Sequence, residues 1–301
     1  MNPVQLLLRQ SIDYAGLFPP AALDMTTAVA NYAGYGAGPE NWALGRFILP
    51  VSRLNEFEQA FQQVMKPTGR WSLSALPGPD LAADLDRIAA FNVRSARRES
   101  GTVIDTIELK SSSVTAIEDM LRRKPDDLQA YFELPIDRDP GELASAVAEA
   151  GGRAKVRTGG VTPDAFPSTS DLSRFIHVCV RSGLPFKATA GLHHALRAEY
   201  PLTYEERSAR GMMFGFLNLF MAAAFIRGGM TEREVLRLLE ESSPTAIEVD
   251  QLGIGWRGHR LGLEAIGRAR EAIVSFGSCS FTEPIGELQS LHLLESRAQR
   301  A

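Results

Sequence analysis

Two lysines occupy matching positions in consecutive strand-like segments. Lys155 lies in the run AKVRTGG and Lys187 in the run PFKATAG, and each run ends in small residues and glycine, where a chain leaves a sheet. The two ammonium groups are therefore predicted at the same rim of a parallel sheet, on neighbouring strands. Like charges this close depress each other's pKa, and a lysine that is neutral near pH 7 is a nucleophile toward carbonyl carbon. The alternative is that both amines are solvated or paired with carboxylates.

Acidic and basic residues lie in register with these lysines. Because side chains alternate along a strand, residues two apart share a face. The pairs that share a face are Glu108 with Lys110, Lys155 with Arg157, and Lys187 with Thr189. Glu108 and Glu133 are close enough in strand order to pair with the lysines. Such a mixture suits a site that shuttles protons, and an inert buried ion network would have the same composition.

Three loops with little side-chain bulk follow the last predicted strands: Thr158–Gly160, Ala190–Gly191 and Gly277–Ser280. Barrels commonly bind phosphate through the amides of the loop after the last strand. Arg157 adds a fixed positive charge to this end of the sheet. We therefore expect a phosphate or carboxylate between the three loops, with Thr158, Gly159, Gly191, Gly277, Ser278 and Cys279 as binding residues. The alternative is that the glycines only make tight turns and that Arg157 pairs with a glutamate.

Other reactive side chains have weaker patterns. His193 and His194 lie in the loop after the Lys187 strand and could contact substrate, but no third ligand has zinc-site spacing, so we predict no metal. Cys279 could act as a nucleophile or be a small buried residue. Asp13, in the first strand-like run, could relay protons or cap a helix.

The elements that must position these residues alternate between strand and helix. Strand-like runs cover 11–18, 45–51, 71–76, 106–110, 128–135, the segments around Lys155 and Lys187, and 273–277; helical patterns cover 24–35, 55–65, 79–91, 114–123 and 140–150. Eight such units predict an α/β fold in which a parallel sheet closes into a (β/α)8 barrel of the TIM type. An open doubly wound sheet is the alternative, and the absence of G-x-G-x-x-G after the first strand disfavours its dinucleotide-binding form.

One segment, 195–272, is longer than a single helix needs, and we interpret it as an insertion within a single domain, 1–301. Its pattern predicts a helix over 205–228, a second helix over 231–241, a hairpin over 246–261 and a returning helix over 262–272. We expect the insertion to cover the C-terminal rim of the barrel, where active sites lie. An oligomer contact, and hence a homo-oligomer, is the alternative.

Composition excludes several function classes. A chain of 301 residues that is 45% hydrophobic and 23% charged suits one large globular unit. The net charge of −4 gives no electrostatic case for nucleic acid. Two cysteines make no disulfide framework, and the first residues lack the pattern of a signal peptide, so we expect a cytoplasmic protein. The longest apolar run, 212–226, is too short to span a bilayer comfortably, so no membrane partner is expected.

Four motifs, in order, resemble the class I Schiff-base aldolases of the deoxyribose-phosphate aldolase type. The residues that carry the resemblance are Asp13 in SIDY, Lys155 in KVRTG (similar to the family's K-T-S-T-G), Lys187 in FKATAG (similar to F-K-x-x-G-G), and the final FGSCS at 276–280 (similar to F-G-x-S-S). The resemblance implies that Lys155 forms the imine and that Lys187 is the second lysine that lowers its pKa. It also implies that Asp13 and the acidic Glu108 relay protons, that amides of the last loop hold a phosphate, and that no cofactor is needed.

The sequence also departs from that family. Arg157 replaces a small hydroxyl residue, Glu108 stands where aspartate is usual, and the long insertion is absent from the family. These differences indicate a divergent relative with another substrate. We therefore expect a lyase that acts through a Schiff base on a small anionic carbonyl compound, either a sugar phosphate or a keto acid. The alternative is a barrel that binds an anionic small molecule without covalent chemistry, as an isomerase without an imine or as a catalytically silent scaffold.

Overall fold

Eight parallel strands close into a barrel in the computed structural model, which describes residues 2–64, 69–97 and 101–295. Strands β8 to β12 lie outside the barrel, in two small sheets. In chain order all the strands of the described residues are β1 (Ile12–Tyr14), β2 (Leu44–Pro50), β3 (Trp71–Leu76), β4 (Thr102–Lys110), β5 (Gln129–Glu133), β6 (Arg153–Arg157), β7 (Phe186–Thr189), β8 (Ala198–Pro201), β9 (Arg210–Met213), β10 (Ile247–Asp250), β11 (Gly253–Trp256), β12 (His259–Gly262) and β13 (Ile273–Ser278). Around the barrel the order is β1-β13-β7-β6-β5-β4-β3-β2. The predicted (β/α)8 barrel is confirmed, and the open sheet is excluded.

Helices follow the barrel strands and cover their outer faces. They are α1 (Pro3–Leu8), α2 (Met25–Ala37), α3 (Leu54–Gln62), α4 (Leu81–Ser95), α5 (Val114–Arg123), α6 (Gly141–Glu149), α7 (Thr169–Arg181), α8 (Phe216–Arg227), α9 (Glu232–Leu239), α10 (Leu263–Ala269) and α11 (Thr282–Ser290). Side-chain caps fix several starts: Asp24 accepts from the Thr27 amide, and Thr231 forms a capping box with Glu234. The main core lies between strands and helices, where Ala154 and Val156 of β6 are fully buried.

Most predicted boundaries match the structure within a few residues, with three differences. β1 has only three residues, because the chain turns at Ala15, whose amide donates to the Ser278 carbonyl. β4 begins four residues earlier than the predicted run, at Thr102. Helix α1 has no counterpart in the sequence prediction, although Asn2 and Gln5 form its capping box. The predicted end of the second helix, Met65, lies outside the described residues.

The segment between β7 and β13 differs most from its prediction. Residues 205–215 are not helical, because β8 and β9 form an antiparallel hairpin and α8 begins only after Gly215. A Cβ at Gly215 would lie 2.3 Å from the Ala195 carbonyl oxygen, so the chain passes too close there for a larger residue. The second predicted helix is confirmed as α9. The predicted hairpin turns at Arg257-Gly258 as expected, but a third strand makes it a sheet of order β10-β11-β12.

The two parts of this segment lie at different ends of the barrel. The β8–β9 hairpin follows β7, and Leu202 and Met213 line a cavity at the C-terminal end. Strands β10 and β11 instead contact α1, which precedes β1. Helix α8, between them, packs on α7, α10 and β13 in the position of an ordinary barrel helix. The expectation that the whole insertion covers the C-terminal rim is therefore wrong: only the hairpin lies there.

Among the described residues, no helix is both long and apolar enough to cross a bilayer.

Candidate active site

The two lysines are direct neighbours inside the barrel. Strand register pairs Lys155 of β6 with Lys187 of β7. Their flanking residues Ala154, Val156 and Ala188 are fully buried against the helices, so alternation turns both lysines toward the barrel interior. The predicted placement of the two amines at matching positions on neighbouring strands is confirmed.

Carboxylates separate the two ammonium groups. Glu108 bridges them, with Oε2 2.9 Å from Lys155 Nζ and Oε1 2.7 Å from Lys187 Nζ. Asp13 Oδ2 lies 2.5 Å from Lys187 Nζ, and Glu133 Oε2 lies 2.9 Å from Lys155 Nζ. The result is an alternating row of three carboxylates and two ammonium groups, which brings together the predicted Asp13, Glu108, Glu133, Lys155 and Lys187.

Groups from the remaining strands complete the row. Ser74 donates to Glu108 Oε1 at 2.7 Å, Ser275 donates to Asp13 Oδ2 at 2.7 Å, and the Arg46 amide donates to Asp13 Oδ1 at 2.8 Å. We call the whole set the interior network: Asp13, the Arg46 amide, Ser74, Glu108, Glu133, Lys155, Lys187 and Ser275. Each of the eight barrel strands contributes one member.

Gly45 makes room for this arrangement. A Cβ at Gly45 would lie 2.4 Å from Asp13 Oδ1, so a larger residue would displace the carboxylate. The neighbouring register between β1 and β2 is irregular, which leaves the Arg46 amide free of the strand ladder and aimed at Asp13. The local backbone therefore positions Asp13 as strictly as its ion pair does.

The interior network favours the ionised form of its members. Burial disfavours charged Lys187, but Asp13 and Glu108 outweigh burial and raise its pKa. Burial likewise disfavours ionised Glu108, yet Lys187 and Lys155 bring its pKa well below the usual range. Burial likewise disfavours ionised Glu133, but the charge of Lys155 outweighs burial and lowers the pKa of Glu133. The prediction that the two lysines lower each other's pKa is therefore wrong for Lys187, because Glu108 lies between the amines.

A cavity of about 320 Å³ opens above the network at the C-terminal end of the barrel. Lys155 lines this cavity, whereas Lys187 lies below it and is only 1% exposed. A molecule in the cavity can therefore reach the Lys155 amine but not the Lys187 amine. This asymmetry separates two lysines that look equivalent in sequence.

The predicted binding residues divide into two groups. Those that line the cavity are Lys110, Glu133, Arg157, Thr189, Gly191, His193, Gly277 and Cys279. Thr158, Gly159 and Ser278 do not, which corrects their predicted role. The Thr158 hydroxyl donates to the Ala190 carbonyl at 2.6 Å, the Ser278 hydroxyl donates to the Ser280 carbonyl at 2.6 Å, and Gly159 packs under the Phe166 ring. These three residues shape the loops rather than the cavity wall.

Two cations at the cavity edge are only loosely held. Lys110 Nζ and Arg157 Nε each lie 3.4 Å from Glu133 Oε1. Their side chains are 73% and 49% exposed, so the pairs are weak in solvent. Arg157 shares the strand face of Lys155 but stands at the rim, not inside the barrel. Both cations are free to turn toward an anion in the cavity.

His193 and Cys279 form the opposite wall. His193 Nδ1 lies 3.3 Å from Ser278 Oγ and 3.6 Å from Cys279 Sγ. The Ser278 hydroxyl donates to the Ser280 carbonyl, so Ser278 Oγ offers His193 Nδ1 an acceptor. Burial and then the charge of His194 lower the pKa of His193 to about 4, and burial raises the pKa of the Cys279 thiol. At neutral pH this wall is therefore uncharged.

We expect the ring of His193 to stay neutral down to about pH 5. Its pKa of about 4 is depressed below the unfolded value of about 6.5. Folding therefore gains stability from this group above pH 6.5, and that stability is lost as pH falls from 6.5 through 4. An NMR titration of the histidine ring signals measures the pKa, with His193→Gln to assign the resonance. A His193 midpoint near 6.5 would contradict the buried neutral ring.

The neighbouring His194 has different partners. Its ring stacks on Tyr200, and its Nδ1 lies 3.3 Å from Glu287 Oε1. Glu287 also accepts from the Ala195 amide, so it ties this loop to α11. Within 2–64, 69–97 and 101–295, no three His, Cys, Asp or Glu side chains are arranged to hold a metal ion.

The sequence prediction missed several site residues. Ser74 and Ser275 are polar residues in the middle of apolar strands, and this signal could have found them. The apolar wall has no such signal, because strand and loop residues from distant parts of the chain meet there, chiefly Phe18, Ile48, Leu76, Leu202 and Met213.

Comparison with other proteins adds no family assignment. The chain matches no protein-family model, and no curated protein is significantly similar to it. The (β/α)8 barrel itself is a fold that commonly carries an enzyme active site at the end where this cavity lies. Function must therefore be argued from the site.

Proposed function

We propose that the protein is a lyase of the aldolase kind that forms a Schiff base between Lys155 and a small anionic carbonyl compound. One observation carries this proposal: Lys155 is the amine that the cavity reaches, and it contacts two carboxylates at 2.9 Å. An amine that is itself nearly buried, that lies next to a proton acceptor and that faces a cavity has what imine formation requires.

Glu133 is the proposed proton acceptor for Lys155. A proton moves from Lys155 Nζ to Glu133 Oε2, and the neutral amine adds to the carbonyl carbon of the substrate. The carbonyl oxygen then leaves as water after it receives protons, and an iminium forms. In a retro-aldol step the bond between the carbons α and β to the iminium carbon breaks, and its electron pair moves toward the iminium nitrogen. The β-hydroxyl gives its proton to a base, and an aldehyde leaves. The enamine that remains takes up a proton at its α carbon, and water hydrolyses the resulting iminium to the free amine and the carbonyl product.

The lower half of the network supports this amine. Lys187 and Asp13 keep Glu108 ionised and fixed in place, and Glu108 then orients the Lys155 amine toward the cavity. In this proposal Lys187 acts through Glu108 rather than by direct repulsion. Asp13 and Lys187 are therefore positioning residues, since they lie below the cavity floor.

A second candidate function is non-covalent binding of an anionic molecule. The observation that favours it is that Lys155 lies between two carboxylates, each 2.9 Å from its Nζ, as in a buried ion pair. In that case Lys155 would bind a ligand as a cation and form no bond with it.

Trapping with borohydride separates the two functions. Incubation with ketones and sodium borohydride should add the mass of the reduced ligand to one peptide, which contains Lys155. Omission of borohydride and incubation without ketone serve as controls. Adducts on other lysines such as the half-buried Lys124, with none on Lys155, would exclude the Schiff-base mechanism.

A further inference from the structure

We propose that the substrate of this cavity is a 2-oxo acid with an apolar substituent, not a sugar phosphate. This inference rests on the proposed function and specifies its substrate class. It follows from where the cations, the apolar side chains and the hydrogen-bond donors lie around the Lys155 amine.

The positive charge lies next to the reacting amine. Glu133 contacts Lys155 through Oε2, and it contacts Arg157 and Lys110 through Oε1. One carboxylate thus separates the nucleophile from both cations. A ligand anion that meets Arg157 and Lys110 must therefore be close to the carbonyl carbon that meets Lys155. A 2-oxo acid has its carboxylate bonded directly to that carbon, and the arginine fork suits a carboxylate. In a sugar phosphate several bonds separate the two groups.

Apolar side chains cover much of the rest of the cavity. Phe18, Ile48 and Leu76 come from the first three strand units, and Leu202 and Met213 come from the β8–β9 hairpin. Ile48, Leu202 and Met213 are almost completely buried. Sugar hydroxyls placed against this surface would lose hydrogen bonds to water without replacement. An alkyl or aromatic substituent would instead gain from burial.

The turn after β13 has few donors to offer a phosphate. The Ser278 hydroxyl donates to the Ser280 carbonyl, and the Ser280 amide donates back to Ser278 Oγ at 3.4 Å. Pro19 and Pro20, which also line the cavity, have no N–H. Two donors of this turn, the Ser278 hydroxyl and the Ser280 amide, are therefore used within the turn and are not offered to a phosphate. The cavity volume of about 320 Å³ suits a small ligand.

The test measures, for each of four ketones, the concentration at which borohydride trapping on Lys155 is half-saturated. The ketones are 4-methyl-2-oxopentanoate, pyruvate, uncharged 4-methyl-2-pentanone and dihydroxyacetone phosphate. We expect 4-methyl-2-oxopentanoate to saturate at a concentration about tenfold lower than pyruvate, because its extra carbons are buried. Dihydroxyacetone phosphate should saturate at the highest concentration of the charged ketones.

Two substitutions test where the carboxylate and the apolar substituent of the ligand bind. Arg157→Gln should raise the half-saturating concentration of 4-methyl-2-oxopentanoate about tenfold and leave that of 4-methyl-2-pentanone unchanged, because only the acid has a charge to lose. Leu76→Asn should reduce the difference between the half-saturating concentrations of 4-methyl-2-oxopentanoate and pyruvate. Arg181→Gln, at the exposed end of α7, is the matched control and should change neither value.

Failure of this inference is distinguishable from failure of the proposed function. The 2-oxo acid assignment is wrong, while the Schiff-base proposal remains, in either of two cases. In the first, dihydroxyacetone phosphate has the lowest half-saturating concentration. In the second, Arg157→Gln raises the half-saturating concentrations of charged and uncharged ketones equally. If no ketone is trapped, calorimetry of 4-methyl-2-oxopentanoate with the unsubstituted protein decides, because a non-covalent site would still use the charge of Lys155. Binding there supports the substrate class without an imine, and no binding overturns both.

Discussion

Lys155→Met should lower turnover of the true substrate at least about 10³-fold and abolish borohydride trapping at this site. The reason is that methionine fills a similar volume but has no amine, and neither neighbouring lysine can replace it: Lys187 lies beneath the cavity floor, 1% exposed, and Lys110 lies at the rim, 73% exposed and outside the interior network. Trapping followed by peptide mass analysis measures the loss directly. Turnover is measured once a substrate has been identified among the trapped ketones.

Lys155→Arg is the matched control for this result. Arginine keeps the positive charge between Glu108 and Glu133 but does not lose its proton in proteins, so it cannot attack a carbonyl. The Lys155→Arg protein should keep most of the folding stability that Lys155→Met loses, yet be equally inactive. Full activity in Lys155→Arg would refute the imine mechanism, because a cation alone would then be sufficient.

Lys187→Met should reduce the free energy of unfolding by about 3–5 kcal/mol, the usual cost of removing one partner of a buried ion pair. Asp13 and Glu108, which are 1% and 6% exposed, would then face each other across an apolar side chain. Both would take up protons more readily, so the stability of the variant should fall as pH rises from about 5 to 8. Urea unfolding at several pH values measures this.

The double variant Asp13→Leu with Lys187→Met tests the cause of that loss. Removing both charges leaves Glu108 paired with Lys155 and removes the orphaned carboxylate. Apolar replacement of a buried pair is often close to neutral, so the double variant should regain much of the lost stability. If it is less stable than Lys187→Met alone, then packing rather than charge limits this part of the barrel.

Strand order and strand alternation together predicted most of the charged side chains that meet in the barrel. The matched runs around Lys155 and Lys187 gave their neighbouring positions, and the strand order of Glu108 and Glu133 gave their partners. Parity does not say which of two charged groups lies between two others, since that depends on register and strand tilt. For this reason we predicted that Glu108 lies near the two lysines, but we did not predict that it lies between them.

The cavity wall was less predictable for a different reason. Leu202 and Met213 belong to a segment whose apolar residues and charges also fit a helix, and the close approach at Gly215 that ends β9 is a tertiary contact. Thr158 and Ser278 were predicted to bind substrate because they lie in loops of little side-chain bulk that follow the barrel strands. Their donors are instead used by nearby carbonyls, and nothing local in the sequence reveals those partners.

Because the interior network takes one group from every barrel strand, it braces the barrel across its diameter. No strand can detach at one seam without exposing a buried charge or breaking a hydrogen bond to one. Amide hydrogen exchange in β1, β4, β6, β7 and β13 should therefore proceed by global opening rather than by fraying of a single strand. The Lys155 amine would then be held by the most slowly exchanging part of the molecule.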